Sequence, residues 1–380
     1  MVKILFLIHD LGQGGAEKVL VNLVNNMDAT KFDISVTALF GGGVNEQFLK
    51  PHIHFRAVWP KAFPGNSHLM KLLTPRQLHK LCVREHYDIE VSYLEGPSAR
   101  VVSGCEDHDT KLICWIHSTP KTQEEAAKSF RSVEEARTCY GKFRKVICVS
   151  QWMKGSFEHC FPDLSKADIL YNTVESDRIL KLAAEEPDED VFQNGMVHLI
   201  GVGSMKPVKG FDRMIRIHDR LCREGYPIRT ILLGAGPDLK QLQQQAKNCE
   251  REDSVVFPGY QTNPYKYVAK SDLFVCASHA EGFSTAVTEA LIVGTPVCTV
   301  EVSGMREMLG DNEFGIITEN DEDALYAGIK DLLDNPEKLA HYKEKAIERG
   351  KRFSTEETVK AVEEMLLELA GESYELKSNP

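Results

Sequence analysis

The chain has 380 residues, more than one ordinary hydrophobic core absorbs, so two domains are expected. With 42% hydrophobic and 27% charged residues it reads as a water-soluble globular protein, and a net charge of -11 argues against a nucleic-acid binder. No apolar run approaches the ~20 residues needed to span a bilayer, and the opening MVKILFLIHDLGQGG turns polar too soon for a signal peptide. A cytoplasmic location follows as the expectation. The ten cysteines form no C-x-x-C pair, and Cys114, Cys148, Cys276 and Cys298 lie inside apolar runs, as small buried hydrophobes do in a reducing compartment. Neither these nor the thirteen histidines show the spacing of metal ligands, so no metal is expected.

Taken in chain order, short apolar runs alternate with amphipathic ones. KILFLI, from Lys3, reads as a first strand, and the loop Gly12–Lys18 (GQGGAEK) after it opens a helix. Glycines there let the backbone approach a ligand, although the spacing is not the dinucleotide fingerprint G-x-G-x-x-G. ISVTALF, from Ile34, is the next strand. The stretch Lys61–Arg84 then carries five basic residues, no acid and interleaved leucines. It reads either as a helix packed on its own domain or as a surface for anionic membrane. Strands follow at Ile89 (IEVSYL), Lys111 (KLICWIH) and Lys145 (KVICVS), the second ending in His117 at the mouth of a loop. His117 is either a structural histidine or a donor to a sugar hydroxyl or leaving group.

The alternation breaks at residues 183–195, an acidic Pro-containing segment read as a linker. Further strands begin at His198, Arg229, Val255, Asp272, Pro296 and Gly315. The loop after the strand at His198 holds Lys206 and Lys209, placed to neutralise phosphate. After DLFVCA comes HAEGFSTAVTEALIVGTPV, with Glu281 and Glu289 eight residues apart, Ser284 and Thr285 as candidate helix caps, and Gly294 and Pro296 as stops. A helix start at a strand's carboxyl end is an anion site. One acid on its loop and one further along suit a sugar and a ribose on either side of a diphosphate. A last helix begins at Ser354 with a Ser-x-x-Glu capping box.

The whole pattern is α/β, two doubly wound domains facing across a cleft. The expected division is residues 1–182, linker 183–195, residues 196–353, and a C-terminal helix and tail 354–380.

In order along the chain, GGAEKVLVNL, CWIHS, CVSQWMK with ILYNTV, VGSMKPVKGFDRMI, LLGAGPDLKQL, EGFSTAVTE and GTPVCTVEVSGMREML resemble the motifs of a retaining glycosyltransferase of family 4. The resemblance implies the GT-B fold, two Rossmann-like domains with a C-terminal helix returning toward the first. It implies transfer of a hexosyl unit from a nucleoside diphosphate sugar with retention, by same-face attack and without a metal or other cofactor. The donor implied is a UDP-sugar, with a GDP-sugar as the other choice. The acceptor implied is a glycan or lipid-linked molecule of cell-surface polysaccharide synthesis, reached from the inner membrane face.

Matched residue by residue, Lys209 corresponds to the diphosphate-binding lysine, Glu281 to the glutamate on the transferred sugar, and His117 to the residue near the reacting centre. Glu289 corresponds to the ribose glutamate, and Gly282, Phe283, Ser284 and Thr285 to the amides around phosphate or sugar. Gly14 and Gly15 border the diphosphate and the acceptor. Ser204 stands where the family often has an arginine, which leaves more of the charge to Lys209 or Lys206, and Glu307 matches a further glutamate. Two other readings stay open: a nucleotide-sugar epimerase of the same fold, and a non-catalytic glycan-binding or scaffold protein.

Overall fold

The computed structural model describes residues 1–12, 15–164, 167–281 and 283–378. Each of the eleven apolar runs above is a strand, and two more join them. In the first sheet the strands are β1 (Val2–Ile8), β2 (Phe32–Phe40), β3 (His54–Trp59), β4 (Ile89–Ser92), β5 (Lys111–Ile116), β6 (Lys145–Cys148) and β7 (Ala167–Ile169). In the second they are β8 (Val197–Val202), β9 (Ile228–Leu233), β10 (Val255–Gly259), β11 (Leu273–Cys276), β12 (Val297–Val300) and β13 (Ile316–Thr318). The two that the sequence did not announce, β3 and β7, are the edge strands of the first sheet. Neither residue set is a continuous apolar run, because an edge strand is covered less completely.

The orders are β3-β2-β1-β4-β5-β6-β7 and β10-β9-β8-β11-β12-β13, with parallel pairing. In each sheet the winding reverses once, between β1 and β4 and between β8 and β11. Both are doubly wound Rossmann-like sheets, and the reversal is where such sheets open a ligand crevice beyond their carboxyl ends. The central strands are buried on both faces: Ile4 to Ile8 are at most 1% exposed. That burial explains their unbroken apolar character.

The chain divides into one unit of Met1–Val174 with the helix Thr355–Ser378, and a second of Glu175–Ser354. The last helix adds Val359, Val362, Met365, Leu366 and Leu369 to the first core. Its Glu363 accepts the Asp28 amide at 2.7 Å and meets Lys31 at 3.2 Å. The passage between units at 174/175 lies ahead of the segment 183–195. That acidic stretch belongs to the second unit, where Arg229 donates to the carbonyls of Val191 at 2.8 Å and Asp190 at 3.0 Å, and the Tyr267 hydroxyl bonds Asp188 at 2.6 Å. Its polar composition serves these bonds rather than solvent alone.

Lys61–Arg84 becomes two helices, Asn66–Leu72 and Pro75–Cys82, separated by Thr74, which forms a capping box with Gln77. Met70, Leu78 and Cys82 are buried in the first core, whereas Leu72 is 75% and Leu81 45% exposed. The segment therefore packs on its own domain with one part of its apolar surface and offers the rest to solvent. No helix among the described residues is long and apolar enough to cross a membrane.

Candidate active site

Two loops meet at the reversal of the second sheet. One follows β8 and runs through a single 3-10 turn, Pro207–Lys209, into the helix Phe211–Arg223. The other follows β11 and leads to the helix Thr285–Ile292. Gly210 sits at the contact with φ of 65°, and a Cβ there would lie 2.0 Å from the Ala277 carbonyl oxygen. Only glycine allows both that backbone conformation and that approach. The His279 amide donates to the Val208 carbonyl at 2.8 Å, so the loops are also hydrogen-bonded.

This contact brings Lys209 and Glu281, 72 residues apart, to 2.6 Å between Nζ and Oε1. The Ser278 hydroxyl donates to the same Oε1 at 2.5 Å. Their side chains are 25% and 10% exposed, in surroundings where an ammonium keeps two protons for a further anion while holding the carboxylate. Lys209, Glu281, Ser278 and Ser284 line one small cavity with Val202 and Phe211.

Arg213 fixes the floor of this arrangement. It is 3% exposed, and its guanidinium donates to the carbonyls of Ala277 at 2.6 Å and Ser278 at 3.0 Å and to Asn320 at 3.0 Å. Asn320 in turn donates to the His279 carbonyl at 3.1 Å. Burial lowers the Arg213 pKa from its ordinary value, which still leaves it charged. The residue was missed in the sequence because it interrupts the apolar pattern of FDRMI as any surface arginine does.

Ser284 caps the following helix, its hydroxyl accepting the Val287 amide at 3.4 Å. Thr285 is the first helical residue and is exposed, so the cap is Ser284 of the two candidates. The first-turn amides of such a helix have no intrahelical acceptor. Glu289, half-buried one turn on, accepts a hydrogen bond from the Tyr265 hydroxyl at 3.4 Å. Burial, then the Glu289 carboxylate, pushes the Tyr265 pKa up, so it remains a donor. Phe283 meets the buried Phe353 edge-on at 6.1 Å. Ser204 and Lys206 are exposed in the β8 loop. Glu307 is half-buried in the short helix Met305–Leu309, whose Glu307 and Met308 carbonyls are held by Arg349. Gly14 and Gly282 lie outside the described residues.

In the first unit, His117 follows β5 and Glu95 follows β4, on one side of the reversal. Glu95 Oε2 accepts the His117 amide at 2.8 Å, and the imidazole lies 5.0 Å from the Tyr93 ring at 47°. Among the described residues His117 Nε2 has no hydrogen-bond partner. Burial pushes the His117 pKa down to about 4, so the ring is neutral near pH 7, with Glu95 opposing that shift. After β1, Asp10 holds the loop by accepting His9 Nδ1 at 2.6 Å and the Gly12 amide at 2.8 Å. Gly15 opens the helix Gly15–Asn26, with open space where a Cβ would lie. A cavity of about 340 Å³ lies beside this loop, lined by His9, Asn66, Ser67, Lys71, Lys128 and Ser129 among others. Glu95, Ser278, Tyr265 and Asn320 join Arg213 as residues that only the fold reveals.

Two family models match in tandem. Glycosyltransferase Family 4 covers residues 13–178, and Glycosyl transferases group 1 covers residues 185–349. The chain is 28% identical over 365 residues to the N-acetylgalactosamine-N,N'-diacetylbacillosaminyl-diphospho-undecaprenol 4-alpha-N-acetylgalactosaminyltransferase of Campylobacter jejuni, covering 93% of this chain and 96% of that one. In fold it is similar to Anabaena Alr3699/HepE, solved in complex with UDP, with a TM-score of 0.76 and 19% identity over 96% of this chain and 100% of the other. A glycosyltransferase from Rickettsia africae gives a TM-score of 0.78 at 15% identity, over 97% and 98% of the two chains. The epimerase reading draws no support from these relatives. The chain belongs to the family 4 glycosyltransferases and has their GT-B fold.

Proposed function

We propose that the protein transfers a hexosyl unit from a UDP-sugar, with retention and without a catalytic metal, to a lipid-linked acceptor. The observation that carries this reading is the Lys209–Glu281–Ser278 cluster at the reversal of the second sheet. A departing nucleoside diphosphate develops negative charge, and the Lys209 ammonium with the helix start at Ser284 supplies preorganised positive potential for it. Glu281, fixed by two donors, is placed to take hydroxyls of the transferred sugar. Glu289, oriented by Tyr265, is placed to take the ribose. Lys206, Ser204, Phe283 and Thr285 frame the same loops. His117 offers a neutral imidazole whose Nε2 has no partner among the described residues, which suits contact with the sugar rather than with phosphate. Gly14, Gly15 and Gly282 complete the proposed donor loops by sequence match. Retention then follows from same-face attack assisted by the leaving phosphate.

The Anabaena fold relative was solved with UDP and with UDP-glucose, which favours uridine here. The Campylobacter relative acts on a diphospho-undecaprenol, which favours a lipid-linked diphosphate as acceptor. The cavity bearing Lys71 and Lys128 suits an anionic head group. Exposed Leu72 and Leu81 beside Lys71, Lys80 and Arg84 suit peripheral contact with the inner membrane face.

The test is thermal stabilisation of the purified protein by UDP, GDP, ADP and their sugar conjugates, because a ligand selective for the native state raises Tm by mass action. A shift with the uridine series and slow release of free sugar from one conjugate is expected. No shift with any nucleotide overturns the donor site, and a shift confined to GDP replaces the base. Flotation with anionic but not neutral vesicles checks the membrane reading.

A further inference from the structure

At the other end of the first sheet from His117 and Glu95, three potential ligands converge. His79 comes from the helix Pro75–Cys82, Glu90 from the second position of β4, and Cys105 from the turn after the helix Pro97–Val102. One ligand atom from each lies within 4.8 Å of the other two. Glu90 is 2% exposed, on a strand between β1 and β5. Among the described residues its two oxygens share a single donor, His79 Nε2, at 3.1 and 2.9 Å. An ionised carboxylate accepts about four hydrogen bonds, so this buried group is under-satisfied.

We propose that His79, Glu90 and Cys105 form a binding site for a zinc-class divalent cation that ties the three elements of the first unit together. Imidazole nitrogen, thiolate sulfur and carboxylate oxygen are the donor types zinc selects, at about 2.0–2.3 Å. Tetrahedral bonds of that length separate ligand atoms by roughly 3.3–3.8 Å, so a pair at the 4.8 Å limit closes by about 1 Å and the 2.9 Å His79–Glu90 pair opens by a few tenths of an ångström, within reach of side-chain rotations. A divalent cation with one thiolate and one carboxylate is electrically neutral, which suits a buried carboxylate. Cys105 is partly exposed, which gives the cation a way in and leaves a fourth position for water. The spacing in sequence concealed the set because 11 positions separate His79 from Glu90 and 15 separate Glu90 from Cys105, and no local motif spans them. The role is structural. It is independent of the donor loops, and the site stands whether or not the proposed acceptor is right.

The test uses the full chain, stripped with chelator and titrated with cobalt(II) as the zinc-class probe. A near-ultraviolet thiolate-to-cobalt band and intense visible bands of four-coordinate cobalt are expected, saturating at one metal per chain and displaced by zinc. Cys105→Ser abolishes the thiolate band, and His79→Gln weakens cobalt binding by at least about tenfold. Lys209→Ala leaves the titration unchanged. Both site variants are first checked for a native melting transition. Should His79→Gln fail to fold, the partly exposed Cys105→Ser alone decides. A stripped wild-type protein with no thiolate–cobalt band overturns the proposal and leaves an ion pair only. A band that survives in Cys105→Ser overturns it as well, by assigning the metal to another cysteine.

Discussion

The reversal points of the two sheets solve different problems. In the second unit Arg213, Asn320, Ser278, Glu281 and Lys209 are joined by consecutive hydrogen bonds, and the ion pair is largely shielded. In the first unit the corresponding place holds a neutral histidine whose Nε2 has no partner among the described residues, and the same unit has an open cavity whose lining includes lysines and serines. Charge that must act on a diphosphate has to be fixed in advance, since reorienting it during reaction costs the stabilisation it supplies. A surface that receives a neutral sugar or a flexible acceptor tolerates open donors and acceptors.

The strongest way to break this contrast is Lys209→Ala. It removes the cation and leaves Glu281 with Ser278 alone. Loss of about 3–4 kcal/mol of transition-state stabilisation, or 10²–10³ in turnover, is expected, with weaker UDP binding. Donor hydrolysis and calorimetry with UDP measure the two effects.

Acid titration sharpens the contrast, because each unit buries a neutral histidine. His218 is 0% exposed between the hydroxyls of Thr230 at 2.9 Å and Ser254 at 2.8 Å, and burial pushes its pKa down to about 4. Its ordinary value is about 6.5. Below that value the unfolded chain takes up a proton that the folded chain refuses, so stability falls as pH drops from about 6.5 to about 4. On the order of 3 kcal/mol is lost over this window in the second unit. His117 gives a loss of the same sign in the first. Urea midpoints against pH, with His218→Asn flattening the second unit's acid limb, check this.

Arg213→Met tests whether the floor of the proposed donor site is essential. Three hydrogen bonds go, and two carbonyls lose their donor, for about 2 kcal/mol of stability. Weaker UDP binding with an intact Lys209 is the expected signature. Unchanged UDP affinity would make Arg213 a purely structural residue. Tyr265→Phe is the mildest change. A 3.4 Å bond is weak, so a two- to threefold loss of UDP affinity, under about 1 kcal/mol, is expected and no change in the acid limb.

Much of the fold was legible in the residues. Central strands such as β1 and β11 are continuous apolar runs because helices cover both their faces. The edges β3 and β7 were not legible, since His54 and Arg56 break the apolar pattern of one and the other is only three residues long, whereas the edges β10 and β13 kept short apolar runs. Lys209, Glu281, Ser284 and Glu289 were legible because glycines, caps and a strand–loop–helix rhythm mark the loops that carry them. Arg213, Ser278, Tyr265 and Glu95 have no such mark. Arg213, Tyr265 and Glu95 act through partners distant in sequence, Ser278 is one small hydroxyl three residues before its partner Glu281, and isolated polar residues of these types are usually solvated.

The sequence by itself therefore determined the alternation of strand and helix, the two reversals' loops and the chemistry available on them, because these depend on local periodicity, turn residues and caps. Only the tertiary structure decided that Lys209 bonds Glu281, that residues 183–195 are pinned by Arg229, that the final helix completes the first core, and that His79, Glu90 and Cys105 converge. Those outcomes depend on which distant segments share a surface, and that is set by the packing of whole sheets and helices rather than by any local propensity.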